Sequence, residues 1–181
     1  MNIGYLESIF SFLGGLGMFL YGMSIMGDGM QKSAGSKLNK FLRMVTDNRL
    51  LAVGLGALIT AILHSSGATT VMVVGFVNAG ILNLTQAVGV IMGANIGTTI
   101  TAVLASIGQG KDAKRVAAAH AIFNLSGAAV CCGLLGPFAA LVQRLSPAGP
   151  ECAVIARQIA NAHTLFNVCC ALVWLPLTGR M

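Results

Sequence analysis

The sequence contains few charged residues. Of its 181 residues, 11 are basic and 5 are acidic, which is 9% of the chain, whereas ordinary soluble domains carry about 25%. Hydrophobic residues make up 56% of the chain, and the mean hydropathy is +0.82. This balance excludes a water-soluble fold, which needs charged side chains to cover its surface. We predict a single all-α domain over residues 1–181, built of several membrane helices in a lipid bilayer.

The longest stretch without Asp, Glu, Lys or Arg runs for 61 residues, from Leu50 to Gly110. As an α-helix it would extend about 92 Å, or roughly three passes through a 30 Å hydrocarbon core. Two simple crossings would leave excess length. The alternative is a re-entrant hairpin over residues 50–82, which enters along Leu50–Leu63 and leaves along Thr70–Leu82, followed by one crossing helix over residues 86–107.

Several kinds of site are excluded by what is missing. The five cysteines form no C-x-x-C pair, and no histidine lies at zinc-finger spacing from them, which argues against a metal centre. His64 precedes Ser65, but adjacent helical residues do not face each other, and the charge-free stretch holds no acid to orient the imidazole. There is no glycine-rich P-loop. We therefore expect a protein that is not an enzyme, with no catalytic residue and no cofactor.

The first apolar run lacks the features of a cleaved signal peptide. No basic segment precedes it, and Glu7 lies there instead. We predict that it is retained as a first membrane helix over residues 8–27. Two more helices are expected over residues 116–135 and 158–177. The loop between them contains Pro137, Pro147 and Pro150.

The basic residues lie between the apolar segments, which is typical of cytoplasmic loops. The net charge of +6 therefore indicates membrane topology and not nucleic-acid binding. A full crossing by residues 50–82 would place both basic loops on one side, as the positive-inside rule prefers, and a hairpin would place them on opposite sides. The loops consist of Lys32, Lys37, Lys40, Arg43 and Arg49 before the charge-free stretch, and Lys111, Lys114 and Arg115 after it.

Two polar motifs interrupt the apolar segments at mid-membrane depth. H-S-S-G-A-T-T occupies residues 64–70, and G-A-N-I-G-T-T occupies residues 93–99. Non-helical backbone at this depth is tolerated where it is buried in protein or lines a cavity, so we predict a break at each motif and a shared cavity. The alternative for either motif alone is that Ser and Thr hydroxyls bond carbonyls of their own helix.

The two motifs supply oxygen ligands without fixed charge, which suit a monovalent cation. Free N–H groups at a broken helix attract an anion, so one site can hold an anion and its co-ion. The candidate binding residues are His64, Ser65, Ser66, Thr69, Thr70, Asn95, Thr98 and Thr99. Among them, the candidate Na⁺ ligands are Ser65, Ser66, Asn95, Thr98 and Thr99.

The pattern A-H-x-[IL]-F-N occurs twice, at residues 119–124 and 162–167, 43 residues apart. His and Asn four residues apart share one helical face. Each helix is therefore expected to present a polar patch to a neighbour. We favour interhelical hydrogen bonding over direct ligand contact for both patches.

Together these motifs resemble the type II sodium/phosphate cotransporters and their bacterial relatives. In that family a Q-S-S-S-A-T-T-like segment is followed by G-[AS]-N-I-G-T-[TS]. The second motif matches in full, and the A-H-x-[IL]-F-N segments and Leu175-Pro176 are also similar. The resemblance spans nearly the whole chain. It departs at His64, where the family has Gln, and at Gly67, where it has a third Ser, so an amide and a hydroxyl for holding substrate or Na⁺ are missing.

The resemblance implies Na⁺-coupled symport of inorganic phosphate by two inverted repeats, each with a re-entrant hairpin and a broken helix. It puts Ser65, Ser66, Thr69 and Thr70 at the hairpin tip, and Asn95, Thr98 and Thr99 at the helix break. Only one such unit is present in this sequence, so we expect half a site.

A second repeat, a second copy in a homodimer or a partner chain would complete the site. We expect an integral protein of the bacterial cytoplasmic membrane. The alternatives are an inactive or accessory membrane subunit and a transporter of another oxyanion.

Overall fold

The computed structural model describes residues 3–33, 40, 42 and 44–180, and within them the chain is helical, without β-strands. Lys37 and Arg43 of the first basic loop lie outside the described residues. The helices are α1 (Ile3–Ser33), α2 (Arg49–Leu63), α3 (Ser66–Asn78), α4 (Leu84–Ser106), α5 (Lys111–Gly133), α6 (Leu135–Leu145), α7 (Glu151–Trp174) and a 3₁₀ helix (Leu175–Arg180). The all-α prediction is confirmed.

Among the described residues, three apolar helical segments are long enough to cross a bilayer: Leu84–Ser106, Lys111–Gly133 and Ala153–Leu177. Their 23, 23 and 25 residues give roughly 35–38 Å of helix, more than the hydrocarbon core requires. By contrast, α2 and α3 have 15 and 13 residues and are about 22 and 20 Å long. Neither of these two helices can span the core alone.

The remaining predicted helices occur in the predicted order, with different ends. The helix expected over residues 8–27 lies within α1, and those expected over 116–135 and 158–177 overlap α5 and α7. The proline-containing segment expected to be a loop includes α6 instead. Pro137 is tolerated there because it lies in the first turn of α6, where a backbone N–H has no intrahelical partner.

Helix α4 forms the centre of the structure and is buried along most of its length. Val88, Ile91 and Met92 of α4 are fully buried in one apolar core with side chains of α6 and α7. The most extensive contact of α4 is with α2. This position makes α4 the element against which the other helices are placed.

Glycines allow the backbones of α2 and α4 to touch. A Cβ added at Gly56 would overlap the carbonyl of Val90, and one added at Gly93 would overlap the carbonyl of Val53. Gly97 lies against the carbonyl of Ala57 in the same way. Close approach through small residues is a common way for membrane helices to associate.

The break predicted at the second motif is wrong. Helix α4 runs without interruption from Leu84 to Ser106, through all of residues 93–99. Gly93 and Gly97 do not interrupt the helix, because their missing side chains are used for packing against α2. Within the motif, the Asn95 side chain donates to the carbonyl of Ile91 in the same helix. This polar side chain therefore adds a hydrogen bond to α4 and does not interrupt it.

The chain does break at the first motif. Helix α2 ends before His64, which adopts a left-handed conformation with φ 52° and ψ 26°. Across the turn, the hydroxyl oxygens of Thr60 and Thr69 lie 2.8 Å apart. Nine residues of straight helix would separate these positions by about 13.5 Å along the axis. Helices α2 and α3 therefore turn sharply against each other.

Candidate functional site

The amino end of α3 presents unsatisfied hydrogen-bond donors. Ser65 caps the helix, and its Oγ accepts the N–H of Ala68 at 3.2 Å. The N–H groups of Ser66 and Gly67 then have no intrahelical partner. The Ser66 hydroxyl forms no hydrogen bond with any other residue that the structure describes. Two N–H groups, a hydroxyl and the positive end of a helix dipole form the arrangement that binds anions.

The turn is accessible from outside the chain. His64 and Gly67 are exposed, and Ser65 and Ser66 are half-buried. An ion can therefore approach these donors directly. His64 lies at the end of α2, next to Ser65, the cap of α3.

The threonine hydroxyls of both motifs donate within their own helices. Such bonds are the alternative considered for Ser and Thr in apolar helices. The lone pairs that remain on these oxygens can coordinate a cation. To donate to an anion, a hydroxyl would first have to break its hydrogen bond to the carbonyl. The bonds are Thr69 to the carbonyl of Ser65 (3.1 Å), Thr70 to Ser66 (2.7 Å), Thr98 to Ala94 (2.9 Å) and Thr99 to Ile96 (2.7 Å).

Thr60 lies between the two motifs. It is fully buried and donates to the Oγ1 of Thr69, which is fully buried as well. A Cβ added at Gly97 would lie 2.7 Å from the Cβ of Thr60. The structure thus brings Thr69 of the first motif and Gly97 of the second to the same side chain. Sequence reasoning missed Thr60, although it is the one hydroxyl-bearing residue of α2.

Asn95 faces α7 and not the turn. Its Nδ2 donates to the carbonyl of Ile91 at 3.1 Å. Its Oδ1 lies 3.1 Å from Nε2 of His163 and 3.4 Å from Nδ2 of Asn167. His163 and Asn167 belong to the second A-H-x-[IL]-F-N segment. Interhelical hydrogen bonding, the favoured interpretation of that segment, is confirmed for α7.

The first A-H-x-[IL]-F-N segment behaves differently. On α5, Asn124 is 4% exposed and donates to the carbonyl of His120 at 2.9 Å. Among the described residues, neither His120 nor Asn124 bonds another helix through its side chain. The His163 and Asn167 pair was not among the candidate site residues, although its four-residue spacing was the signal that could have placed it there.

The Na⁺/Pi-cotransporter family model matches residues 18–160 of this chain. This match covers 143 of the 181 residues and includes both polar motifs. The second A-H-x-[IL]-F-N segment lies just beyond it. No solved structure matches the chain.

Several curated proteins are similar to the chain. The uncharacterized protein YqeW of Bacillus subtilis is 43% identical over 135 residues, which cover 75% of this chain and 42% of that protein. Human sodium-dependent phosphate transport protein 2B is 32% identical over 120 residues, covering 62% of this chain and 17% of that protein. The rat protein 2C is 41% identical over 81 residues, covering 42% and 14%.

The chain spans less than half the length of each of these relatives. On the side of this chain, the family match covers more than three quarters of the residues. The long apolar helices agree with that match. The chain is therefore an integral membrane protein that belongs to the Na⁺/Pi-cotransporter family.

Proposed function

We propose that this chain takes part in Na⁺-coupled transport of inorganic phosphate and contributes half of the transport site. The observation that carries the proposal is the amino end of α3, where the sharp turn at Ser65 leaves donors for an anion. The names of the sodium-dependent phosphate transport proteins 2B and 2C support the choice of substrate.

The anion is held at the turn. The N–H groups of Ser66 and Gly67 and the Ser66 hydroxyl donate to phosphate oxygens, and the dipole of α3 adds to the attraction. No lysine or arginine occurs between residues 50 and 110. A buried anion in this stretch needs a counter-charge from elsewhere, and co-transported Na⁺ supplies it.

Sodium is held by uncharged oxygen atoms. The hydroxyl oxygens of Ser65, Thr98 and Thr99 keep lone pairs that accept no hydrogen bond from the described residues, and such oxygens suit a hard monovalent cation. Thr69 and Thr70 lie in α3, just after the capping Ser65. With no protein charge in the stretch, Na⁺ and phosphate neutralise each other, which favours their movement together.

Helices α2 and α3 act as a re-entrant hairpin. Each is too short to cross the hydrocarbon core, and the 2.8 Å contact between Thr60 and Thr69 supports a reversal of direction at His64. In this arrangement the two basic loops lie on opposite sides of the membrane. For a chain similar to a Bacillus protein, the membrane is the bacterial cytoplasmic membrane.

A second repeat, a second copy in a homodimer or a partner chain completes the site. The resemblance described above implies two hairpin units around a central site, and this sequence contains one. Inverted-repeat transporters place substrate at the interface between their repeats. The exposed donors at His64 to Gly67 are the surface that the other half would face.

The proposal is tested by uptake of ³²P-phosphate into proteoliposomes that contain the purified chain. We expect uptake when an inward Na⁺ gradient is imposed and none when K⁺ replaces Na⁺. Uptake that does not depend on the Na⁺ gradient contradicts the coupling, and absence of uptake by a verified dimer favours an accessory subunit. Stronger inhibition by sulfate or arsenate than by unlabelled phosphate assigns the site to another oxyanion.

A further inference from the structure

An apolar cavity of about 320 Å³ lies between α5 and α7 and shares no residue with either polar motif. Its lining comes from residues within 126–131 of α5 and within 166–177 of α7 and the following 3₁₀ helix. Both stretches belong to segments that are long enough to cross the bilayer, Lys111–Gly133 and Ala153–Leu177. The cavity is therefore formed by helices that the hydrocarbon core surrounds.

Two contacts join α5 and α7 beside the cavity. Phe166 and Cys170 of α7 pack into the space that Gly127 leaves on α5, where an added Cβ would overlap the sulfur of Cys170. The indole Nε1 of Trp174 donates to Oγ of Ser126 at 3.2 Å. The two helices are thus held together at these residues, and the gap next to them stays open.

The lining of the cavity offers little to water or to a polar ligand. The one hydrogen of the Ser126 hydroxyl is donated to the carbonyl of Phe123, and the one N–H of the Trp174 ring is donated to Ser126. The cysteine thiols of the lining are only weak donors. Because a buried water needs about two to four polar partners, this lining suits a hydrocarbon instead.

The cavity is open to the outer surface of the two helices. Two of its lining residues, Val130 of α5 and Val173 of α7, are 65% and 63% exposed. Four residues beyond Val130, on the same side of α5, Leu134 is 55% exposed. A lipid chain that covers these side chains reaches the cavity along apolar surface. The cavity is therefore continuous with the interface between protein and lipid.

We propose that this cavity binds one acyl chain of a membrane phospholipid, which fills the gap between α5 and α7. Lipid tails are as apolar as the lining, so the hydrophobic effect does not hold the chain in place. Packing does, because an empty gap would leave both walls without van der Waals partners. The bound chain adds contacts between α5 and α7 that their own side chains do not make. This site does not depend on the proposed transport.

The fluorescence of the protein reports on the cavity directly. The chain has one tryptophan, and this residue, Trp174, lines the cavity. Bromine atoms on a lipid chain quench tryptophan at close range, so fluorescence is compared in phosphatidylcholine bilayers with and without brominated chains. Cys131→Phe and Val130→Phe fill the cavity from α5. Cys132→Phe is the matched control, because Cys132 is half-buried like Cys131 but does not line the cavity.

We expect brominated chains to quench Trp174 in wild type and in Cys132→Phe, and most of this quenching to be lost in Cys131→Phe and Val130→Phe. Size-exclusion chromatography verifies that each protein is monodisperse. Val130 is exposed, so its variant keeps the test valid if the more buried Cys131→Phe does not fold. Wild-type Trp174 that brominated chains do not quench overturns the inference, and so does equal quenching in wild type and both filled variants.

A second measurement tests whether water occupies the cavity instead. Cys169 is exposed and lines the cavity. We expect a charged, water-soluble thiosulfonate to leave Cys169 unmodified in bilayers, because the reagent stays in water and the reactive thiolate does not form among hydrocarbon chains. The same reagent should modify Cys169 after unfolding in SDS, and mass spectrometry of peptides locates the label. Modification of Cys169 in the intact protein would show an aqueous cavity and overturn the inference.

Discussion

At the residue scale, the bond between Thr60 and Thr69 holds the turn that forms the candidate site. Both side chains are fully buried, and their hydroxyls join α2 to α3 across only a few residues of chain. The Thr69 hydroxyl continues the chain of bonds to the carbonyl of Ser65. Hydrogen bonds therefore connect Ser65, the cap of α3, to the buried Thr60 of α2.

Thr60→Val removes the donor and keeps the volume of the side chain. We expect a loss of about 0.5–1.5 kcal/mol in the free energy of unfolding, because one buried interhelical hydrogen bond is lost. The matched control is Thr101→Val, an exposed residue whose hydroxyl bonds only the carbonyl of Thr98 in its own helix. Thermal unfolding in detergent measures both, and equal loss in the two variants would show that the bond across the turn has no special weight.

His64 is the residue at which the first motif departs from the family pattern. His64→Gln restores an amide beside the Ser65 cap, and we expect Na⁺-driven phosphate uptake to rise roughly threefold at low phosphate, the effect of one modest hydrogen bond. His120→Gln is the control, since His120 lies on α5 away from the turn. Unchanged uptake kinetics in His64→Gln would place this position outside the site.

Single residues were the easiest part of the site to predict. The hydroxyl-rich motif at residues 64–70 does mark a turn, with His64 in a left-handed conformation and Ser65 as the cap of α3. A turn of this kind depends on residues that are close together in the sequence. Thr60 and His163 could not be assigned in the same way. Their partners, Thr69 and Asn95, are brought to them by packing between helices, and a single sequence does not state which helices touch.

At the element scale, the glycines of the second motif show why a pattern can be misinterpreted. Glycine permits a helix to break, and it also permits two helices to approach closely. In α4 the second use applies: Gly93 and Gly97 meet the backbone of α2, and the helix stays intact. The choice between the two depends on α2, which carries the complementary Gly56 at the contact.

Gly56→Ala tests this contact. The added methyl group would overlap the carbonyl of Val90, and we expect a loss of about 2–3 kcal/mol as the backbones of α2 and α4 are forced apart. Gly54→Ala is the matched control on the same helix, because Gly54 is exposed and has open space around it. It should leave the unfolding temperature in detergent unchanged or slightly raised. Equal loss in both variants would contradict the close contact of α2 with α4.

At the scale of the whole molecule, the described residues form one sharply turned pair of short helices and a set of long apolar helices around α4. Helix α1 exposes large apolar side chains such as Phe10, Phe12 and Phe19, as expected of a surface that faces lipid or a second half. The donors of α3 lie open at the turn. The class of fold followed from composition alone, because 9% charge permits few alternatives, whereas the completion of the proposed site by a second half stays a prediction.

In the proposed mechanism, the amino end of α3 binds the phosphate that Na⁺ drives across the membrane. The most direct test compares wild type with Ser66→Ala in proteoliposomes, with Ser106→Ala as control, because the Ser106 hydroxyl bonds the carbonyl of Val103 in its own helix. We expect Na⁺-gradient-driven ³²P-phosphate uptake in wild type and Ser106→Ala, and an uptake about tenfold lower at sub-saturating phosphate in Ser66→Ala. Uptake in Ser66→Ala equal to that of wild type, or wild-type uptake that persists without a Na⁺ gradient, would contradict the account.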